Sequence, residues 1–433
     1  MRTLTSLLGT TLLVSSIGAC KWTEFDDLEK ETWVSTTGKP NSDSTDYGVA
    51  LQRGLKTSPS GGKLVALGAT QSQYTQIEYA ANGDSDVGDN VIKLLTRFNV
   101  GTLEAQPVLI ADPATDDVAL VANAGGQSLA VLTGTTDLVQ HIVQGPEKAD
   151  AAAYILAPSR LDMAVTHPSQ PIVAAGDSVY GTFYMNAPNT QPKCQLLDET
   201  AMPMAIRAVA GASITQTTTD DLVVWGSVGT GSPVGKLLLY PGGVFNGQDP
   251  VGPCVGGTSA PLALSTPVDT GFAPGKGSQI IMIDKKYALL VGQKDGSADS
   301  MIALYDLTTM TGPNRVPTKI GQSIITPGLR AAAFLDTGTA KFVAAGYPTT
   351  AVDGVKAAGQ VSVFPLDLTT GLDLTPAMTL HDAQPEGDQL YGRALAVTPF
   401  NGKPVLAVAA DNEVFLYFRL ETDQATLYGE TRQ

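Results

Sequence analysis

The chain has 433 residues, of which 43% are hydrophobic and only 16% charged, with 45 Gly and 27 Pro; this composition excludes long solvent-exposed helices and a disordered chain, and suits a turn-rich β protein. A formal net charge of −15 excludes a nucleic-acid-binding surface, because neutralising phosphates requires clustered Lys and Arg. At this length the alternatives are two or three domains or one large repeat architecture.

Residues 1–19 begin with Arg2, continue through Leu7-Leu8 and Leu12-Leu13-Val14, and end in small residues, the three-part pattern of a secretory signal. The apolar part is too short to span a bilayer comfortably. Its end, Ile17-Gly18-Ala19-Cys20, resembles the lipobox of bacterial lipoproteins, in which the cysteine is acylated and becomes the first mature residue. That resemblance implies a lipid on Cys20 and a place in the cell envelope, and Lys21 stands where some bacteria use Asp to retain lipoproteins at the inner membrane, which points to the outer one. Ordinary cleavage near Ala19 is the alternative. Residues 20–45 then read as an acidic, solvated tether with Glu24, Asp26, Asp27, Glu29 and Glu31, within which Glu31-Thr32-Trp33-Val34 is a candidate short strand docking on the domain.

A six-residue frame recurs downstream: a polar or capping residue, four mostly aliphatic residues, then Gly or Ala. Its copies are Lys63 to Gly68, Asp117 to Ala122, Pro171 to Gly176, Asp221 to Gly226, Tyr287 to Gly292, Lys341 to Gly346 and Pro404 to Ala409. The intervals are 54, 54, 50, 66, 54 and 63 residues, too regular for unrelated domains. An apolar run precedes each frame and another follows it, often with aromatics, as in KLLLY to Tyr240, MIALY to Tyr305 and EVFLYF to Phe418. Each unit therefore reads as three or more antiparallel strands. A unit of that size cannot bury both faces of its own small sheet, and radial stacking solves the problem. The expectation is an all-β, seven-bladed β-propeller over residues 46–420, with a C-terminal tail at 421–433. Small residues would sit where blades converge, and aromatics farther out would fill the widening wedge.

The phrases resemble the FG-GAP repeat of integrin-α-like propellers. Tyr47-Gly48 and Tyr391-Gly392 match its aromatic-Gly pair, Asp221 to Gly226 and Lys341 to Pro348 its middle, and Gly359-QVSVF its last strand. The family often carries a calcium loop of the form Asp-x-Asp-x-Asp-Gly between the first two strands. Here those loops read SPSGG, ADPATDD, THPSQ, TTTDD, IDKK, LDTGTA and PFNGK, and none holds the full set. Asp112, Asp116 and Asp117 are the nearest remnant, so the expectation is that folding needs neither a metal nor another cofactor.

Chemistry-bearing residues are sparse. His141, His167 and His381 fall in different units, in expected loops, without metal-ligand spacing. Three cysteines leave Cys194 and Cys254 as the one disulfide candidate once Cys20 is lipidated, two separate thiols being the alternative. The run from Val228 to Ser232 lacks the Lys and helix of a phosphate loop and reads as a turn between strands. Arg207, Arg330 and Arg393 each precede Ala at an expected first strand. They are candidates either for an anion-attracting cluster at an axial channel or for counter-charges to neighbouring Asp residues.

The reading that follows is a monomeric, lipid-anchored envelope protein, contacting the membrane through its lipid alone, whose propeller loops bind protein or glycan without catalysis. The alternative is an envelope carbohydrate-active hydrolase or lyase with an axial acidic site.

Overall fold

The computed structural model describes the strands between residues 34 and 198 and, more fully, residues 204–214, 220–240, 267–309, 316–382, 384–400, 403–411 and 413–417. Among the described residues there is no helix, and the strands form seven antiparallel sheets. The first strand in the chain, β1 (Val34–Gly38), belongs to the last of them. Sheet one is β2 (Tyr47–Arg53), β3 (Gly61–Gly68), β4 (Gln73–Ala80) and β5 (Val91–Asn99). Sheet two is β6 (Val108–Ala111), β7 (Val118–Val121), β8 (Ser128–Thr133) and β9 (Val139–Gln144). Sheet three is β10 (Ala151–Leu156), β11 (Ser169–Ala175), β12 (Ser178–Gly181) and β13 (Cys194–Asp198). Sheet four is β14 (Met204–Ala212), β15 (Asp221–Val228), β16 (Val234–Tyr240) and β17 (Val268–Asp269).

Sheet five is β18 (Gln279–Ile283), β19 (Tyr287–Gln293), β20 (Asp299–Asp306) and β21 (Thr318–Pro327). Sheet six is β22 (Ala331–Asp336), β23 (Lys341–Tyr347) and β24 (Gln360–Asp367), whose outer edge is shared by β25 (Gly371–Leu372) and β26 (Met378–Leu380). Sheet seven is β27 (Ala394–Phe400), β28 (Lys403–Ala410) and β29 (Glu413–Tyr417), and its fourth strand is β1. Val34 pairs with Tyr417 and Gly38 with Glu413, antiparallel. The stretch expected as a free tether thus contributes a strand to the fold, beginning at the Val34 that closes Glu31-Thr32-Trp33-Val34.

Every copy of the six-residue frame falls on the second strand of its sheet: β3, β7, β11, β15, β19, β23 and β28. The physical reason shows in sheets four to seven, where the core of this strand is buried without interruption, as in Leu222 to Trp225, Ala288 to Val291 and Val405 to Ala410. A strand with paired neighbours on both edges and apolar layers on both faces reads as an unbroken aliphatic run, not as an alternation.

Successive residues of these strands feed opposite layers. Leu290 and Ala288 pack with Trp225, Val223 and Tyr305 in the layer between sheets four and five. Leu289 and Val291 pack with Val343, Ala345 and Phe364 between sheets five and six. Phe342 and Ala344 pack with Leu406, Val408 and Phe415 between sheets six and seven. First strands supply small residues to these layers, Ala208, Ala210 and Ala212 from β14 and Ala331 to Ala333 from β22. Third strands supply Tyr305, Phe364 and Tyr417. The first strand β18 departs from this, supplying Ile280 to Ile283.

The first strands also approach one another in sequence, β2 with β6, β6 with β10, and so on through β14, β18 and β22 to β27. β27 in turn contacts β2.

Candidate functional site

Each sheet has a starting end, where its first strand begins and its second strand finishes, and a finishing end opposite. The most extensively pinned loops among the described residues lie at the starting end of sheets six and seven. After β23 the chain makes a small hairpin in which Val352 and Val355 exchange both backbone hydrogen bonds, at 3.1 and 2.8 Å. The two residues between them, Asp353 and Gly354, have φ of 51° and 82°. Two successive left-handed residues make the two-residue turn that matches strand twist, and Asp-Gly is a dipeptide suited to it.

A second segment, running from β26 to β27, is stitched to the hairpin's base. The amides of Asp388, Leu390 and Tyr391 donate to the carbonyl oxygens of Lys356, Ala357 and Ala358 at 3.1, 3.0 and 2.9 Å. Gly359 forms a parallel bridge with Tyr391. A Cβ on Gly359 would collide with the Tyr391 backbone, and at φ 87° the position is strained for any side chain. Tyr391 is wholly buried, edge-on to Phe415 with ring centroids 5.2 Å apart, and its hydroxyl shares a short hydrogen bond with that of Tyr417. Burial first, then the neighbouring Tyr417 phenol, pushes the Tyr391 hydroxyl well above the usual tyrosine range.

The same segment carries a polar knot. Gln389 donates its amide to the Asp382 carboxylate and accepts from the Glu386 backbone N–H at 3.3 Å, while His381 Nδ1 donates to the Asp382 carbonyl oxygen at 2.8 Å. Glu413, half-buried at the head of β29, is pushed above the usual carboxyl range by burial and then by Asp382 and Glu386. Asp353, Lys356, Gln384, Glu386 and Asp388 are exposed on top. The arrangement is a preorganised surface of fixed backbone and varied side chains, suited to recognition. Among the described residues no group of three or more His, Cys, Asp or Glu is placed to hold a metal ion.

Arg393 sits beside this platform, its amide held by the Ala409 carbonyl at 3.2 Å and its guanidinium 3.3 Å from Asp411. Arg330 stands exposed just before β22, its amide donating to the Gly346 carbonyl at 2.9 Å. Arg207 differs from the expected strand start: it lies within β14 at a bulge, where the register shifts between Ile206 and Ala208. The extra residue at a bulge re-aims a side chain, and Arg207 reaches Asp295 in the next sheet at 3.3 Å. Asp295 is fixed in turn by the Lys276 amide at 2.9 Å. The described contacts take Arg207 and Arg393 to separate carboxylates and do not bring the three arginines together.

Cys194 heads β13, opposite Gly181, at the outer edge of sheet three. Cys20, Cys254, His167 and the loop with Asp112, Asp116 and Asp117 lie outside the described residues. His141 lies in β9, opposite Val131, and not in a loop. The run from Val228 to Ser232 is the turn between β15 and β16, with Gly229 at φ 94°.

Sequence reasoning missed two features. The hairpin carried a usable signal in its Asp353-Gly354 dipeptide. The pair of buried Asp220 with partly exposed Lys285, with Nζ 2.8 and 3.0 Å from the two carboxylate oxygens, carried none, since the partners are 65 residues apart.

No family model matches the chain, and no curated protein matches it. Among solved structures, a chain of the Chaetomium thermophilum Polycomb Repressive Complex 2 bound to GSK126 is similar, with 10% identity, a TM-score of 0.53, and 90% of this chain and 98% of that chain covered. A chain of apo ctPRC2 in an autoinhibited state is similar at 11% identity and a TM-score of 0.53, covering 90% of this chain and 97% of that one. The likeness is one of fold. At such identity it carries no activity, ligand or partner from those complexes to this chain.

Proposed function

We propose that the chain is a lipid-anchored cell-envelope protein whose seven sheets are the blades of an integrin-α-like FG-GAP propeller, and that the loops at the starting end bind protein or glycan without catalysis. Support for the propeller comes from the succession of contacts between first strands, from β1 completing the last sheet, and from the fold likeness to the two solved chains over nine-tenths of this one. Pairing the ends of the chain in one sheet joins the first and last blades without leaving an open interface between them. The lipid rests on Ile17-Gly18-Ala19-Cys20, and a bridge between Cys194 and Cys254 rests on the cysteine count.

The observation that carries the binding role is the pinned pair of segments 350–359 and 381–391, because a surface fixed before contact loses little conformational entropy on binding. The test is capture from envelope extracts by the delipidated chain, with captured proteins and glycans identified. Lys356→Ala and Asp388→Asn, the latter chosen because Asn suits the left-handed φ of 60° at this position, should each weaken capture of a specific partner about tenfold. Capture unchanged by both substitutions would remove this platform as the binding surface. Turnover of an envelope glycan by the purified chain would favour the hydrolase or lyase reading instead.

A further inference from the structure

The way β1 joins the last sheet fixes where an N-terminal anchor attaches. Val34 pairs with Tyr417 and Gly38 with Glu413. Tyr417 lies opposite Leu406 and Glu413 opposite Ala410 on β28, and β28 pairs with β27 so that Ala409 meets Ala394 and Lys403 meets Phe400. Following these registers, Val34 stands toward the Phe400 side and Gly38 toward the Ala394 side. The chain therefore runs into β1 from the finishing end and leaves β1 at the starting end.

From this geometry we infer that the protein stands on the membrane by its finishing end and presents its starting end, with the 350–359 hairpin and the 381–393 connection, away from the bilayer. The inference rests on the lipid-anchor reading, which supplies the attachment at Cys20. Thirteen residues separate Cys20 from Val34, from 34 − 20 − 1, and even fully extended they reach no more than about 45 Å. The opposite orientation would use about 17 Å of that reach, the length of β1 at about 3.3 Å per residue, to bring the linker back along sheet seven before the chain enters β1. Membrane attachment and recognition are thus assigned to opposite ends of one set of sheets.

The experiment compares two positions in sheet six, both exposed: Thr339 in the finishing-end turn and Lys356 in the starting-end hairpin. Each is replaced in turn by a click-reactive amino acid carrying a donor dye, in the full natively processed chain, reconstituted on phosphatidylethanolamine–phosphatidylglycerol vesicles that contain an acceptor-labelled lipid. Energy transfer from position 339 should exceed that from position 356 at least twofold. Equal transfer, or stronger transfer from 356, overturns the orientation. The anchor itself is read separately: Cys20→Ala should abolish vesicle association, and if the unsubstituted chain also fails to associate, the lipid reading falls. In that event the orientation is still decided, by repeating the measurement with an N-terminal decahistidine in place of residues 1–19 on nickel-chelating lipids. The same twofold inequality then supports the inference and its absence overturns it.

Discussion

Two seams between neighbouring sheets solve the same packing problem with different material. In each, the sixth residue of the repeated frame is Gly, and in each the space where its side chain would be is occupied. At the seam of sheets four and five a Cβ on Gly292 would stand 2.6 Å from Trp225 Cη2 and 2.8 Å from Ser278 Oγ. The filler is an indole, itself fully buried and donating from Nε1 to Thr270 Oγ1 at 3.3 Å. At the seam of sheets six and seven a Cβ on Gly346 would overlap the Gly392 carbonyl, and one on Gly392, at φ 86°, would meet Gln360 O at 2.9 Å. Here the filler is backbone, drawn close by the Tyr391-Gly392 pair. What repeats along the chain is a vacancy, and each seam fills it from its own neighbour. Gly226 shows a third version, facing Ala205 O at 2.5 Å across the β14 bulge. None of these three needs Gly for a turn; they need it for close approach.

The contrast can be broken most violently at the indole. Trp225→Ala should cost about 3–5 kcal/mol, the range for emptying a large aromatic site in a core, and a denaturation midpoint close to wild type would show that the seam collapses freely. Next comes Gly346→Ala, where the obstacle is a carbonyl that no rotamer change can move. Its cost should reach about 3 kcal/mol, the upper part of the overpacking range, and no truncation of a nearby side chain should relieve it.

Gly292→Ala should cost about 1–3 kcal/mol, and here the two seams separate. The offending atoms belong to the outer ring of Trp225, so in a Trp225→Phe background the same substitution should be milder by about 1 kcal/mol, a coupling of the size contacting residues show. Strict additivity in that cycle would mean that Trp225 is not what Gly292 makes room for.

Smaller still is the phenol pair behind the second seam. Tyr391→Phe and Tyr417→Phe should each lose about 1–2 kcal/mol by stranding the partner's buried hydroxyl, and the double substitution should lose less than the sum.

The smallest effect belongs to Glu413. Its folded-state value lies above its unfolded one, so the protein holds that proton more tightly when folded, and the associated stability is present at acid pH and fades as pH rises through the folded value. Glu413→Gln should therefore raise the melting temperature slightly at pH 7, with the gain shrinking toward acid pH. Asp336, held below the usual range chiefly by its hydrogen bond to Lys341, has the opposite sign: its contribution is present above the unfolded carboxyl value and is lost as pH falls through the folded one. A melting curve of Glu413→Gln parallel to wild type at every pH would show that burial and the Asp382 and Glu386 charges do not act on this residue.

Much of the fold could be read from the chain because its signals are local. An aliphatic run of four ending in Gly or Ala reports a strand buried on both faces, and seven copies at similar intervals report seven similar units, with the frame landing on the second strand each time. The aromatic-Gly pair was legible as a motif, although its role as a backbone wedge was not. The candidate site was legible only in its parts: Arg393 and the Tyr391-Gly392 pair were singled out, but the hairpin that clamps to them was not. Arg207 was misplaced because a bulge is an insertion in pairing, visible only once the opposing strand is known.

The sequence by itself, then, determined the strand type, the unit length and the positions that must stay small, since these follow from side-chain volume and a period of two residues. The tertiary structure alone decided which groups meet: β1 with β29 across nearly the whole chain, Lys285 with Asp220 across 65 residues and Arg207 with Asp295 across 88. Pairings of that kind depend on how the sheets are arranged in space, and no local pattern of residues encodes a distance between segments that only the folded chain brings together.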